Sequence, residues 1–179
     1  MKLGIQSIFV ATSLSLVSFA SLANDSGVIQ FEGAITDTPC VVDHDDANQT
    51  VGLGQYKKDA FNKKGDTSAP VSFEIKLLGC ATDTFANASV KFAGHTIPDS
   101  PTTLALSANQ AGDTIASGVG IQILQNNTPV AVDGNTTAGS ITLEDGDNTF
   151  RFLAQYVAVA DEVTAGSAHS YANFSISYK

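Results

Sequence analysis

Apolar residues in this chain recur at every second position, and that pattern runs through both its front and its back. Near the front, Gly27, Ile29, Phe31 and Gly33 share one parity; at the back, Ala172, Phe174, Ile176 and Tyr178 do the same. Side chains of an extended strand alternate between faces, so each run predicts a strand with one buried face. Further short runs rich in β-branched and aromatic residues cover 71–78, 89–92, 119–124, 141–143, 149–159 and 171–178. Turn formers separate them: Lys64-Gly65-Asp66, Asn126-Asn127-Thr128-Pro129, Asp133-Gly134-Asn135 and Asp145-Gly146-Asp147-Asn148. Only Tyr56 to Phe61 fits a helical turn or two, because no apolar stripe at helical spacing extends further. Many short strands joined by regular turns predict an all-β antiparallel sandwich.

The front of the chain adds a compartment. Lys2, an apolar stretch from Ile5 to Val17 broken only by small polar residues, and Ser21-Leu22-Ala23 read as a secretory signal over 1–23, too short and wrongly flanked for a membrane anchor. Cleavage after Ala23 is expected, with Ser18-Phe19-Ala20 offering an earlier alternative. No later segment is long and apolar enough to span a bilayer, so the mature chain is expected to have no membrane span.

Removing Lys2 with the signal leaves 8 basic residues against 18 acidic ones, a formal charge of about −10. Such a balance disfavours nucleic acid as a partner and suits a solvated extracellular surface. The two cysteines, Cys40 and Cys80, both lie in the exported part, where an oxidising compartment permits a bridge between them. The alternative, a pair of metal ligands, lacks a second pair of Cys or His at ligand spacing.

No catalytic constellation is visible, and neither enzyme activity nor a cofactor is expected. His44, His95 and His169 are isolated from one another, and neither a Gly-x-Ser-x-Gly elbow nor a glycine-rich phosphate loop occurs. Asp43-His44-Asp45-Asp46 lacks the alternating ligands and tight glycine turn of a calcium loop and reads as a solvated acidic loop. Lys57, Lys58, Lys63 and Lys64 read as a solvated basic loop diluted by Asp59 and Asp66. Asn-x-Ser/Thr triplets at Asn48, Asn87, Asn126, Asn135 and Asn173 reflect a composition rich in those residues.

Taken in order after a signal peptide, four segments carry a resemblance. They are Gly27-x-Ile29-x-Phe31-x-Gly33 before Asp37-Thr38-Pro39-Cys40, Val51-Gly52-Leu53-Gly54-Gln55, Val71 to Leu77 leading to Cys80, and the C-terminal segment from Gly166. This chain resembles the type 1 fimbrial pilins of the chaperone-usher pathway over essentially its whole mature length. The resemblance implies an incomplete immunoglobulin-like sandwich lacking its last strand, with a hydrophobic groove beside the C-terminal strand. In such pilins a periplasmic chaperone fills the groove and, at an outer-membrane usher, the N-terminal extension of the next subunit replaces it, an instance of β-augmentation.

On that reading the chain divides into a signal peptide at 1–23, a donor-strand extension at 24–36 and a pilin domain at 37–179. Gly27, Ile29, Phe31 and Gly33 would form the donating face. Gly166, Ala168, Ala172, Phe174, Ile176 and Tyr178 would form the groove-edge strand that the chaperone holds. The implied partners are identical or related pilin subunits, the chaperone and the usher; the implied location is an extracellular fimbrium reached through the periplasm, supporting adhesion. A minor adaptor or terminator subunit is the alternative within the family. From another class comes a self-contained secreted β-sandwich binding carbohydrate or metal. Periodicity alone allows 27–36 to be an ordinary first strand of its own domain. Asp25 continues the donor register with a carboxylate that is costly to bury unpaired, whereas cleavage after Ala20 would extend that register to Ala23.

These readings fix a mass. The protein recovered from cell-surface filaments is expected to weigh what residues 24–179 weigh, less two hydrogens for the bridge. Intact mass spectrometry without reductant checks both, and a species retaining residues 1–23 or two free thiols would contradict them.

Overall fold

The computed structural model describes residues 27–33, 35 and 37–179. The expected signal peptide, both cleavage sites and Asp25 lie outside the described residues. The chain separates into two units, Met1–Ile35 and Thr36–Lys179. In the first, the described residues form no strand, and Val28, Ile29, Phe31 and Ile35 are exposed, Phe31 at 90%. The expected front strand therefore exists here only as a pattern: a lone strand has no ladder to satisfy its backbone, so the alternation supplies a face without forming an element.

The second unit is a β-sandwich. Its strands are β1 (Val41–Val42), β2 (Val71–Cys80), β3 (Asn87–Gly94), β4 (Thr96–Ile97), β5 (Ser100–Leu104), β6 (Val119–Gln125), β7 (Thr128–Pro129), β8 (Gly139–Thr142), β9 (Gly146–Ala158) and β10 (Ala172–Tyr178). The larger sheet runs β1-β2-β9-β6-β5-β4, with β7 also on β6, and the smaller runs β10-β3-β8. Every strand pair is antiparallel. The long runs read from the sequence appear as β2, β3, β6, β8, β9 and β10, with ends shifted by a few residues.

Alternation fills the space between the sheets. Ile75 and Leu77 of β2, Phe150 and Phe152 of β9, and Ala88, Val90 and Phe92 of β3 are all buried in one cluster. Phe152 is its hinge point: it stacks on Phe73 at 5.6 Å and meets Phe92 edge-on at 5.0 Å, linking the two sheets through ring contacts. Burying a phenyl group contributes roughly 1.5 to 3 kcal/mol, so this row is a principal source of stability. A second, smaller cluster of Phe61, Val119 and Ala158 closes one end.

Turn chemistry behaves as the sequence requires. Asn126 and Asn127 both take positive φ, 51° and 62°, which joins Gln125 to Thr128 in a tight hairpin of the hand that suits twisted strands. Two local readings are corrected. The stretch 43–46 is not an open acidic loop: Asp43 accepts from Asp45 N and caps a helical turn, α1 (His44–Ala47), while Asp46 accepts from Lys76 N of β2 at 2.8 Å. Short carboxylates stabilise helix starts by satisfying free N–H groups, and that preference decides the local fold. The helical reading of 56–61 contracts to a single 3₁₀ turn at Lys58–Ala60.

Cys40 and Cys80 are joined, and both are buried. The bridge ties the segment ahead of β1 to the end of β2, where Ala81 N also donates to Pro39 O. Closing a loop of this length restricts the unfolded chain by about 4 kcal/mol in the loop-entropy account. Cys40→Ser is therefore expected to lower stability by roughly 2 to 5 kcal/mol. Denaturant unfolding of the domain checks it, and an unchanged midpoint would contradict it.

Candidate functional site

The last strand is where the sandwich is unfinished. β10 pairs with β3 along its whole length, from Ala172 opposite Gly94 to Tyr178 opposite Ala88, and among the described residues it has no strand on its other side. Lys179 and Asn87 exchange both backbone hydrogen bonds, so in an antiparallel ladder Asn173, Ser175 and Ser177 also direct their backbone groups towards β3. Ala172, Phe174, Ile176 and Tyr178 then direct theirs outward. The same residues face their side chains into the main core, yet remain only half-buried. Unpaired N–H and C=O groups thus sit directly above uncovered apolar side chains.

Tyr178 shows how partial that cover is. Its ring lies 6.4 Å from Phe85, and burial pushes its hydroxyl above the ordinary tyrosine range, although the residue is not fully enclosed.

A second unpaired segment borders the same core. Leu53 is buried in it and Val51 packs against it, so the short Val51-Gly52-Leu53-Gly54-Gln55 run keeps period-two alternation. Among the described residues, no backbone hydrogen bond joins this run to any strand. Two backbone edges without partners therefore frame one apolar core.

One end of this frame opens into a cavity of about 400 Å³. Its apolar wall is Phe61, Val119, Tyr156 and Val163, and its rims are Gly54 to Tyr56 on one side and Gly166 to His169 on the other. The Tyr156 hydroxyl donates to Ala168 O at 3.0 Å and holds that rim in place. Ser167 Oγ is buried there with no hydrogen-bond partner among the described residues.

The expected groove-edge residues divide between two roles. Ala172, Phe174, Ile176 and Tyr178 form the half-covered face of β10, whereas Gly166 and Ala168 precede the strand and rim the cavity. Gly166 has a packing reason of its own. A Cβ there would lie 2.4 Å from Ala116 N and 2.6 Å from Thr114 O, so only glycine lets 114–116 pair with Ser167. Gly27, Ile29, Phe31 and Gly33, expected from the sequence as a donating face, are all exposed in the other unit. Sequence reasoning missed Phe61, Val119, Tyr156 and Val163 as cavity wall, since they come from three separate stretches of chain and share no periodic signal.

Among the described residues, no group of three or more His, Cys, Asp or Glu side chains is placed to hold a metal ion, and no helix is long and apolar enough to cross a membrane. His169 pairs through its backbone with Ser107, in a short bridge.

Comparison with known proteins agrees with this geometry. The family model of fimbrial proteins matches residues 29–179. A fimbrial subunit type 1 of Salmonella typhimurium is 39% identical over 175 residues, spanning 93% of this chain and 94% of the relative. Among solved structures, the P pilus rod subunit PapA superposes with a TM-score of 0.65 at 23% identity, over 79% of this chain and all of that one. A chaperone-usher pilus structure gives 0.68 at 23% identity, over 89% and 99%. These likenesses share the incomplete immunoglobulin-like fold, and the match in sequence covers most of the molecule. The chain belongs to the fimbrial protein family, as a structural subunit that assembles with other pilin subunits into a surface fimbria.

Proposed function

We propose that this subunit polymerises by donating residues 24–36 to the open edge of a neighbour, each copy offering a strand at its front and accepting one beside β10. The observation that carries this is the coincidence, at Ala172, Phe174, Ile176 and Tyr178, of outward backbone groups with half-covered inward side chains. An added strand satisfies both at once, through main-chain hydrogen bonds along its length and alternate side chains set into the core.

The front segment has the matching chemistry. Ile29 and Phe31 share one parity and stand exposed, and burying each contributes roughly 1.5 to 3 kcal/mol. Glycines at 27 and 33, on the same parity, need little depth where the two backbones approach. Possession of both halves favours a propagating shaft subunit over a terminator, which needs only to end a chain.

Before assembly the uncovered edge would pair with any available strand, since exposed apolar edges template aggregation. This supports transit through the periplasm under a chaperone that occupies the edge, followed by exchange at an outer-membrane usher. Fimbrial subunits are structural proteins and not enzymes.

Three variants test the proposal. Deleting residues 24–33 is expected to leave a folded, oxidised subunit that accepts but cannot donate, because the sandwich of 37–179 does not use that strand. Phe31→Asp is expected to behave nearly the same, since an unpaired carboxylate in an apolar site costs several kcal/mol. Appending the same ten residues after Lys179 through a flexible linker is expected to fill the subunit's own edge, giving a monomer of higher thermal stability. Thermal unfolding and gel filtration read all three. A deletion that unfolds the domain, with an appended strand that changes nothing, would place 24–33 within its own sandwich and overturn the proposal.

A further inference from the structure

Resting on the strand-acceptor reading of β10 above, we infer that Asp46 and Gln49 determine where an incoming strand docks, by masking a rival edge on β2 that opens on the same side of the sandwich as β10.

The position of the rival follows from the sheet order. β8 joins β9 through the short turn 143–145, and the Gln125 side chain of β6 lies against Gly139 of β8, so β8 stands on the β9 and β6 side of the smaller sheet. β10 lies across β3 from β8 and therefore borders the other side, where β2 and the two-residue β1 end the larger sheet.

β1 covers β2 only at Leu77 and Leu78, and among the described residues no strand borders 71–76 on that side. Lys76 directs its backbone there, its O accepting from Asp43 N at 3.0 Å, so in an extended strand Glu74 and Ser72 direct theirs the same way. On the inner face Val71 and Phe73 pack against the core yet remain half-buried. Outward backbone groups above half-covered apolar side chains are the two ingredients that make β10 an acceptor. Main-chain hydrogen bonding alone does not tell one such edge from another.

The segment 43–49 distinguishes them. Asp46 Oδ2 accepts from Lys76 N at 2.8 Å, and Gln49 Nε2 donates to Glu74 O at 2.8 Å. With Asp43 N on Lys76 O, three of the four outward backbone groups of Glu74 and Lys76 are occupied. Pro70, just ahead of β2, has no N–H to offer. The Asp43 cap starts the helical turn α1 that carries Asp46 to this edge. Polar side chains thus stand where the backbone of an added strand would bond, closing the edge as covering loops and charged groups close other sheet edges. Among the described residues no comparable bond reaches the outward groups of Ala172, Phe174, Ile176 or Tyr178. Of two edges on one side of the sandwich, the chain masks β2 and leaves β10 open.

Filaments sheared from cells test it, because on the strand-donor reading the edge beside β10 is filled in them. A fluorescent peptide of residues 24–36 is expected to bind filaments of Asp46→Ala with Gln49→Ala about tenfold more per subunit than filaments of the parent. Gln49→Ala alone, which spares the Asp43 cap, is expected to give about threefold. Asp46→Asn keeps an acceptor for Lys76 N and is expected to bind the peptide like the parent, a rescue that general loss of stability would not produce. The full chain carrying the appended strand gives the same comparison where the doubled variant assembles poorly, and its melting temperature shows that the domain folds. Equal peptide binding by the doubled variant and the parent in both forms would overturn the inference, and the strand reading would still stand on the deletion of 24–33. Assembly that survives that deletion would remove the strand reading instead, and stronger peptide binding by the doubled variant would still mark β2 as a masked edge.

Discussion

The structure depends on a sheet edge that no strand among the described residues completes. β10 lays Phe174, Ile176 and Tyr178 against the core through one face and pairs with β3 through one edge, leaving its other edge bare above the same side chains. A buried backbone needs partners and an apolar core needs cover; one inserted strand provides both. Val51 to Gln55 contributes Leu53 to the same core while, among the described residues, making no ladder of its own. The vacancy lies beside β10, at both its outward backbone groups and its half-covered side chains.

Other features hold that vacancy open. The disulfide fixes the segment before β1 onto the end of β2. Phe152 and its ring neighbours join the two sheets directly. At the other end, the close pairing of Gly166 and Ser167 with 114–116 and the bond from Tyr156 to Ala168 keep the cavity rim from folding inward. Collapse would cover the apolar wall, and this bracing keeps it open.

The sequence made the long strands legible because their alternation is uninterrupted: β2, β9 and β10 each carry an inward apolar row that no helix could present. It hid β1, β4, β5 and β7, whose two to five residues are too short or too polar to show a period. The acidic turn at 43–46 was obscured because Asp serves equally in loops and at helix starts, and only its bonds to Asp45 N and Lys76 N distinguish them. The cavity was invisible for a different reason. Phe61, Val119, Tyr156 and Val163 meet only through tertiary packing, while Gly166, read as part of the edge, owes its small size to the neighbouring backbone.

Amide hydrogen exchange along β10 tests the central claim most directly, because adjacent residues serve as mutual controls. In the isolated domain, the amides of Ser175 and Ser177 point to β3 and are expected to exchange slowly, while those of Phe174, Ile176 and Tyr178 exchange fast. In the filament all are expected to become slow. Protection of Phe174, Ile176 and Tyr178 already present in the isolated domain, or absent in the filament, would contradict the account.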